Sequence, residues 1–348
     1  MHVGMDLGRN SMSVALLTDG GELVDEFSVR PDAGGLGRLA DRVAQYCSEG
    51  EPVEGVVESM TGSRFVYDFL TGCGWHVSIA DAWAVKGIGR VAAKTDKIDA
   101  RILASLSYRD LVPAIWIPGE EVRSTREQAR FRIFLVHKRS SLKNRIHSAL
   151  IEFGRPCPVS DLFGKTGRQI LNELDLEQPW TDHIRVSLEL IGHYDQLITE
   201  MERDLRRQVS EHPTTDLLVT IPGVGHILAY TIAAEIGHIT RFDSPKKLVG
   251  YTGLVPRVNQ SGARDLRGPL TRSGPRYLRW ALIEAAVHAA HHPIYAERYQ
   301  RTRQRLGPQQ GPKVARVDIA RRITTAIWWM LTKQQPFAPQ GPTRTLAA

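Results

Sequence analysis

Short apolar segments alternate with amphipathic ones over the first third of the chain. Residues 2–8 and 11–18 are apolar and flank the turn residues "GRN", which predicts a β-hairpin, and "ELVDEFSV" predicts a third strand. The segments "VEGVVES" and "WHVSIAD" predict two more strands, with helices at "GLGRLADRVAQYCSEG", "SRFVYDFLTGCG" and "KTDKIDARILASLSYRD". Three strands followed by alternating helices and strands is the order of a ribonuclease-H-like sheet. We therefore predict a mixed α/β domain over residues 1–113.

Long amphipathic helices follow this domain. The first carries an apolar stripe at near i, i+4 and i+7 spacing, formed by Phe131, Leu135, Leu142, Ile146 and Leu150. A second long helix is predicted over residues 181–210. Two such helices joined by a segment with Pro and Gly are typical of an antiparallel coiled-coil arm, which we place at residues 114–210. A helical bundle that packs on the first domain explains the same pattern equally well.

The remaining chain, residues 211–336, is predicted to be mostly helical. Its segment "LLVTIPGVGHILAYTIAAEIG" has the pattern of a helix-hairpin-helix, in which Gly223 and Gly225 let backbone N–H groups meet a DNA phosphate. A bare turn in the core is the alternative explanation for these glycines. We expect residues 337–348 to form a disordered tail.

Positive charge is concentrated in the last part of the chain. The formal net charge is −5 for residues 1–115, −2 for residues 116–240 and +14 for residues 241–348. Because the basic residues are interleaved with apolar and aromatic ones, this part favours a nucleic-acid partner over a merely solvated basic tail.

Composition adds two expectations about the compartment. The chain has 348 residues, of which 42% are hydrophobic, and neither a membrane span nor a secretory signal is evident. Its widely spaced cysteines, Cys47, Cys73 and Cys157, predict free thiols in a reducing cytoplasm, with no zinc site.

Carboxylates occur where the predicted strands end. Asp6 ends the first strand and Glu58 the fourth, whereas Asp96 and Asp99 begin a helix and are three residues apart. In a ribonuclease-H-like sheet these two strands are neighbours and the helix packs against them, so we expect the four carboxylates to converge. Converging carboxylates repel one another unless cations neutralise them, and such oxygen ligands suit Mg²⁺ or Mn²⁺. Taken singly, Asp6 is explained equally well by a turn cap. Asp96 and Asp99 alone would more often be carboxylates that the helix dipole favours at a helix start.

A serine lies in a strongly basic, glycine-flanked loop, "VPRVNQSGARDLRGPLTRSGPRYLRWAL". Around Ser261 the loop carries Arg257, Arg264, Arg267, Arg272, Arg276 and Arg279. Arginines stabilise an attacked phosphate, which a nucleophilic serine requires. A serine in such a loop is more often a helix cap or a hydrogen-bond donor to phosphate, and the residues alone favour that explanation over a nucleophile.

Six segments resemble one protein family. They are "GMDLG" with Asp6, "VVES" with Glu58, "TDKIDA", "LLVTIPGVG", "GYTGLVPRVNQSG" and "GPLTRSGPRYLRWAL". Together they resemble the DEDD transposases of the insertion-sequence-one-ten family, relatives of the pilin-gene invertases. The resemblance runs from residue 3 to about residue 335, with the motifs in the family's order. It implies a RuvC-like catalytic domain, a coiled-coil arm and a transposase domain with a catalytic serine.

The resemblance also implies site residues and partners. Asp6, Glu58, Asp96 and Asp99 would form the metal site, supplied by another protomer, and Ser261 would attack DNA to form a covalent phosphoserine. The implied partners are double-stranded donor and target DNA and a structured bridge RNA encoded in the element's non-coding end. Further copies of the chain would complete a dimer or tetramer. A cytoplasmic, nucleoid-associated bacterial protein is the implied setting.

Two other functions compete with a DNA recombinase. A RuvC-like structure-specific nuclease would use the carboxylates alone, because it hydrolyses DNA with water and needs no serine. A basic nucleic-acid-binding scaffold would use neither the carboxylates nor Ser261 for chemistry. Dependence on Ser261 separates the first two functions, and dependence on a metal separates both from the scaffold.

Overall fold

A five-stranded sheet forms the centre of the first of two compact units, Met1–Ile117 and Pro118–Ala348. The computed structural model describes residues 1–48, 50–88, 96–155, 157, 159–211, 213–261 and 264–339. The strands are β1 (His2–Leu7), β2 (Met12–Leu17), β3 (Leu23–Val29), β4 (Glu54–Glu58) and β5 (His76–Ala80). The helices of this unit are α1 (Ala33–Ala44), α2 (Ser63–Gly72), α3 (Ala82–Ile88) and α4 (Asp96–Tyr108).

The strand order is β3-β2-β1-β4-β5, with β1, β2 and β3 antiparallel and with β4 parallel to both β1 and β5. This confirms the predicted mixed α/β fold and the ribonuclease-H-like order of its strands. The hairpin between β1 and β2 is closed by a hydrogen bond of 2.9 Å from the Gly8 amide to the Ser11 carbonyl. Helix α3 was missed by the sequence analysis.

The two faces of the sheet pack against different helices, because successive residues of a strand point to opposite sides. On one face, Val3, Met5 and Val14 lie in a buried core with Leu36 and Leu39 of α1. The odd-numbered residues of β1, Val3, Met5 and Leu7, all point into this core. The even-numbered residues of β1 therefore face the opposite side, where α4 lies.

Helix α4 approaches the sheet at a glycine of β1. A Cβ atom at Gly4 would lie 2.0 Å from the carbonyl oxygen of Ala100 and 2.4 Å from the amide nitrogen of Ala104. Ala15 and Leu17 of β2 form a small buried cluster with these two alanines. The absence of a side chain at Gly4 is what permits this distance between helix and strand.

Replacing Gly4 by alanine should therefore destabilise the first unit by about 3 kcal/mol or more, since the added methyl group meets backbone atoms that cannot rotate away. Urea denaturation of the full chain would measure the loss. Gly37→Ala is the matched control, because Gly37 lies in α1 with open space around it. There alanine should raise the stability by up to about 1 kcal/mol. Equal midpoints for Gly4→Ala and the unmodified protein would contradict the close packing of α4.

Two long antiparallel helices begin the second unit. They are α5 (Glu120–Glu152) and α7 (Trp180–Glu211), with the short α6 (Lys165–Asn172) between them. Arg132 of α5 pairs with Glu202 of α7, and Arg139 Nη1 lies 2.8 Å from Asp195 Oδ1, so the helices run in opposite directions. The two predicted long helices are confirmed. Their assignment as a coiled-coil arm stays a prediction.

Phe131 does not belong to the buried stripe of α5, so that part of the sequence prediction is wrong. The inner side of the first half of α5 carries Arg126, Ala129 and Ile133, spaced i, i+3 and i+7. Phe131 lies off this stripe and is 46% exposed, whereas Ile146 is buried as predicted.

The rest of the second unit is mostly helical around one core. Its helices are α8 (Pro213–Val219), α9 (His226–Ile236), a 3₁₀ turn (Ile239–Arg241), α10 (Pro245–Tyr251), α11 (Arg276–Ala289) and α12 (Pro293–Lys333). Helix α12 is interrupted at Gly307, where φ is 76°. The core joins Ile232 of α9, Leu248 of α10, Leu282 of α11 and Ile323 of α12.

A β-hairpin in this unit was not predicted. Strands β6 (Pro256–Ser261) and β7 (Arg264–Leu270) pair antiparallel in a separate two-stranded sheet. The sequence analysis took this segment for a polar loop, because glycine, proline and charged residues separate its few large apolar residues, Val258, Leu266 and Leu270. In the structure Val258 and Leu266 are more than half exposed.

The end of the first unit, Ile117, lies close to the predicted boundary at residue 113. The subdivision of the second unit into an arm, a transposase domain and a tail stays a prediction. Phe337, the first residue of the predicted tail, packs against the core and donates its amide to Thr220 Oγ1 at 2.9 Å. Residues 340–348 lie outside the described part. No helix within the described ranges combines the length and apolar character needed to cross a bilayer.

Candidate active site and nucleic-acid interface

Asp6 lies near the end of β1, on the face that α4 covers. It pairs with Ser13 of β2 and follows Gly4 by two residues, so both residues point to the same side of the sheet. Asp6 is half-buried there. This position is the one that the sequence predicted.

Glu58 ends β4 at the same edge. The parallel register pairs Met5 with Val57, which brings the next residues, Asp6 and Glu58, to neighbouring positions at the carboxyl ends of the two strands. Glu58 follows Val56 by two residues, and Val56 packs against Leu103 of α4. Asp6 and Glu58 therefore share both an edge and a face of the sheet.

The first turn of α4 lies toward this edge. At the other end of the helix, Ser107 Oγ is 2.9 Å from Nδ1 of His2, the first residue of β1. Ala100 and Ala104 lie over Gly4, in the middle of the strand. Helix α4 therefore runs opposite to β1, and its first residues, Asp96 and Asp99, lie at the end where β1 finishes.

Asp96 and Asp99 also belong to the sheet-facing stripe of α4. They precede Ala100 and Leu103 by four residues each, which is one helical turn. Ala100 and Leu103 are buried, Asp99 is half-buried and Asp96 is exposed. The topology thus brings all four predicted carboxylates to one edge and one face of the sheet.

The donor set fits a hard divalent cation, because four carboxylates at one edge supply the oxygen ligands that Mg²⁺ and Mn²⁺ prefer. Among the described residues, no three His, Cys, Asp or Glu side chains lie close enough together to hold a metal ion. The shared edge is thus a property of the fold, and the closing of the side chains around an ion stays a prediction. Residues 89–95, directly before α4, lie outside the described part.

Asp81 is a further carboxylate next to this edge. It follows β5, whose last residue, Ala80, pairs with Glu58. Asp81 Oδ1 accepts hydrogen bonds from the amides of Trp83 at 2.8 Å and Ala84 at 3.1 Å, so it caps the start of α3. The dipeptide "AD" after an apolar strand could have indicated this cap.

Ser261 is the last residue of β6, at the tip of the β6–β7 hairpin, where it pairs with Arg264. The side chains of Ser261, Arg264 and Arg267 lie outside the described part, so their predicted roles stay predictions. Arg257 is exposed on β6. The structure therefore presents the segment around Ser261 on a hairpin.

The arginines that follow the hairpin differ in their surroundings. Arg272, in the left-handed region with φ of 54°, and Arg276 are exposed. Arg279 is half-buried and donates from Nη1 to the carbonyls of Thr252 at 3.1 Å and Ser273 at 3.3 Å. Burial, and secondarily the charge of Arg272, lowers the pKa of Arg279. Arg279 thus contributes to holding the loop in place, while Arg272 and Arg276 remain accessible.

The two predicted glycines of the α8–α9 turn have different roles. Gly223 has φ of 86°, and a Cβ atom there would lie 2.5 Å from the carbonyl oxygen of Ala285 on α11. Close packing on α11 therefore requires a glycine at this position. Gly225 is exposed, has open space beside it and directly precedes α9. It borders a groove of about 740 Å³ that also includes Arg206.

The fold and the acidic sheet edge define an α/β domain of the ribonuclease-H-like DEDD class, and comparison with protein families agrees. A transposase model of the DEDD type from IS110 elements matches residues 3–154. A second model, described as transposase of the IS116/IS110/IS902 family, matches residues 215–300. The chain belongs to the IS110 family of transposases.

Similar proteins include transposases and DNA-inverting proteins. The chain is 25% identical to the transposase for insertion sequence element IS1328 of Yersinia enterocolitica, over 97% of this chain and 98% of that protein. It is 25% identical to the transposase for IS1111A of Coxiella burnetii, over 81% and 78%. It is 26% identical to the pilin gene-inverting protein of Moraxella bovis, over 72% and 70%. Membership of this transposase family implies an enzyme that cleaves and recombines DNA.

Proposed function

We propose that this chain is the site-specific recombinase of an insertion sequence, which cuts DNA with the hydroxyl of Ser261 and rejoins the strands at a new site. The observation that carries most weight is the sheet edge where β1 and β4 end beside the start of α4. Membership of a transposase family and the +14 charge of residues 241–348 support DNA as the substrate.

In the proposed reaction the oxygen of Ser261 attacks the phosphorus of a DNA phosphodiester. A bond forms between that oxygen and phosphorus, and the bond from phosphorus to one deoxyribose oxygen breaks. The serine hydroxyl loses its proton to solvent or a base, and the leaving deoxyribose oxygen takes one up. One phosphate ester replaces another, so attack by a deoxyribose hydroxyl on the phosphoserine reseals DNA without ATP.

Charged side chains would assist this exchange, with the metal site supplied by another protomer. The exposed arginines Arg257, Arg272 and Arg276 favour the negative charge that builds up on the attacked phosphate. The carboxylates would hold Mg²⁺ or Mn²⁺, which when bound supplies positive charge against the phosphate oxygens. Without such a cation, four carboxylates at one edge would repel DNA.

A structured guide RNA, encoded beside the element, is the proposed source of sequence choice. The exposed basic residues of α5, such as Lys138 and Arg145, would contribute to binding it by shape. The α8–α9 turn with Gly225 would act as a helix-hairpin-helix on a DNA phosphate, and the α5–α7 pair as a coiled-coil arm. Assembly into a dimer or tetramer would bring a metal site from one protomer to the serine of another.

The test is to express the chain with its flanking non-coding DNA, sequence the RNA that co-purifies, and assay donor and target plasmids in the same cells. We expect one enriched structured RNA and joined donor–target molecules. Accumulation of broken DNA with free ends and no joined product would indicate a structure-specific nuclease. Intact plasmids, despite tight DNA binding by the purified protein, would indicate a scaffold.

A further inference from the structure

A surface groove of about 580 Å³ in the second unit combines aromatic rings with positive charge. It lies between α5 and the start of α11 and is lined by Glu127, Arg130, Phe131, Phe134, Arg276 and Tyr277. None of these residues except Arg276 belongs to the site described above.

The aromatic wall of the groove consists of two phenylalanines. Phe131 and Phe134 are 46% and 47% exposed, and their rings lie nearly parallel, 19° apart with centroids at 5.9 Å. Aromatic rings that stack on each other and remain nearly half exposed offer apolar surface to a ligand. The wall therefore has the shape and chemistry of a stacking platform.

The cationic wall is held rigidly. Arg130 donates two hydrogen bonds, of 2.7 and 2.9 Å, to the carboxylate of Glu235, which is fully buried. This pairing raises the pKa of Arg130, so the guanidinium keeps its charge. The guanidinium carbon of Arg130 lies 5.3 Å from the centre of the Tyr277 ring, and Arg276 lies over the same ring at 4.7 Å.

We propose that this groove binds unpaired bases of the DNA strand that the enzyme cuts and rejoins. An aromatic platform stacks on any base once that base has left the duplex, while neighbouring cations contact its phosphates. Because Glu235 neutralises Arg130, the remaining positive charge comes from Arg276 and from Lys138, which lies 5.2 Å above the Phe134 ring, against the single acid of the groove lining, Glu127. The charge of the groove therefore complements a nucleic acid.

Connection to the serine hairpin favours DNA over RNA as the occupant. Helix α11 begins with Arg276 and Tyr277, directly after the loop that connects β7 to this helix. In that loop Thr271 donates its amide to the carbonyl of Val255 at 2.8 Å, and Arg272 to that of Gly253 at 3.1 Å. The groove is thus attached to the base of the hairpin that ends in Ser261. This identification of the strand rests on the proposed function.

Binding of fluorescent oligonucleotides to the full chain tests the proposal, with 2-aminopurine as the stacking reporter. Phe131→Leu/Phe134→Leu should weaken binding of single-stranded DNA by about 30-fold, because leucine keeps apolar area but cannot stack as a ring. The same variant should bind duplex DNA within about twofold of the unmodified protein. Phe131→Trp/Phe134→Trp should restore single-strand binding. Phe65→Leu, on an exposed phenylalanine of α2, is the matched control and should change nothing.

Four results would overturn the proposal. They are unchanged single-strand affinity in the leucine variant, an equal loss for duplex DNA, a loss confined to single-stranded RNA, and a change of oligomeric state. The last would identify the groove as an interface between copies of the chain. The Ser261 adduct is a separate measurement, so an adduct with unchanged single-strand affinity would reject this inference alone. Weaker single-strand binding in the leucine variant, together with no adduct in the unmodified protein, would reject the serine chemistry alone.

Discussion

Replacing Ser261 by alanine should abolish DNA cleavage and the covalent protein–DNA complex together. If the Ser261 oxygen is the nucleophile, the variant lacks the atom that forms the phosphoserine bond, and we expect activity to fall by at least about 10³-fold. Denaturing a stalled reaction should leave DNA attached to the unmodified protein, and peptide mapping should locate the adduct at Ser261. The measurement is gel separation of labelled DNA followed by mass spectrometry.

Two further variants make this result specific. Ser261→Cys keeps a nucleophilic atom and should retain a trace of adduct. Ser273→Ala is the matched control, since Ser273 lies in the same basic region and its hydroxyl is 3.2 Å from Thr271 Oγ1. An adduct that persists in Ser261→Ala and disappears in Ser273→Ala would mean that Ser273 is the nucleophile. Free DNA ends and a modest loss in Ser261→Ala would favour a nuclease.

Removing one charge from the acidic sheet edge should have a comparable effect on activity and none on folding. Asp6→Asn and Glu58→Gln should each reduce cleavage by at least about 10³-fold in Mg²⁺, because a neutral amide is a poor ligand for a hard cation. Thermal unfolding should stay unchanged or shift slightly upward, since removal of one of several neighbouring negative charges reduces repulsion. Circular dichroism would measure the folding, and strand cleavage the activity.

Glu54→Gln provides the control for this pair. Glu54 lies at the opposite end of β4 from Glu58 and pairs with His76 across the strands at 2.9 Å. The side chains of Glu54 and His76 are 44% and 71% exposed, so their ion pair contributes little to stability, and the substitution should leave cleavage unaffected. Equal loss in Glu54→Gln and Glu58→Gln would point to a general loss of DNA binding. Full activity in Asp6→Asn or Glu58→Gln would refute the carboxylate site.

The local pattern of residues was sufficient to predict the strands and most helices of the first unit. The apolar runs of β1 and β2 flank a short polar turn, and a hairpin between neighbouring segments needs no information from distant residues. The order of elements then indicated the ribonuclease-H-like sheet, and with it the edge where Asp6 and Glu58 lie. Strand ends are encoded locally, which explains why these two positions were found.

Other features depend on contacts between residues far apart in sequence. Gly223 was assigned to phosphate binding from its motif. In the structure a side chain at this position would collide with the backbone of Ala285 on α11. Phe131 fits an apolar stripe by its spacing, but the inner side of α5 is set by which residues meet α7 and α9. Periodicity gives the possible faces of a helix and leaves their partners undetermined.

By itself, the sequence determined the α/β class of the first unit, the positions of its carboxylates along the chain and the basic character of the last part. Only the tertiary structure decided that α4 runs opposite to β1, so that Asp96 and Asp99 lie at the same sheet edge as Asp6. It also decided that the segment ending in Ser261 is a β-strand. The physical reason is that secondary structure follows from neighbouring residues, whereas the meeting of distant segments depends on the steric fit of whole surfaces, as at Gly4.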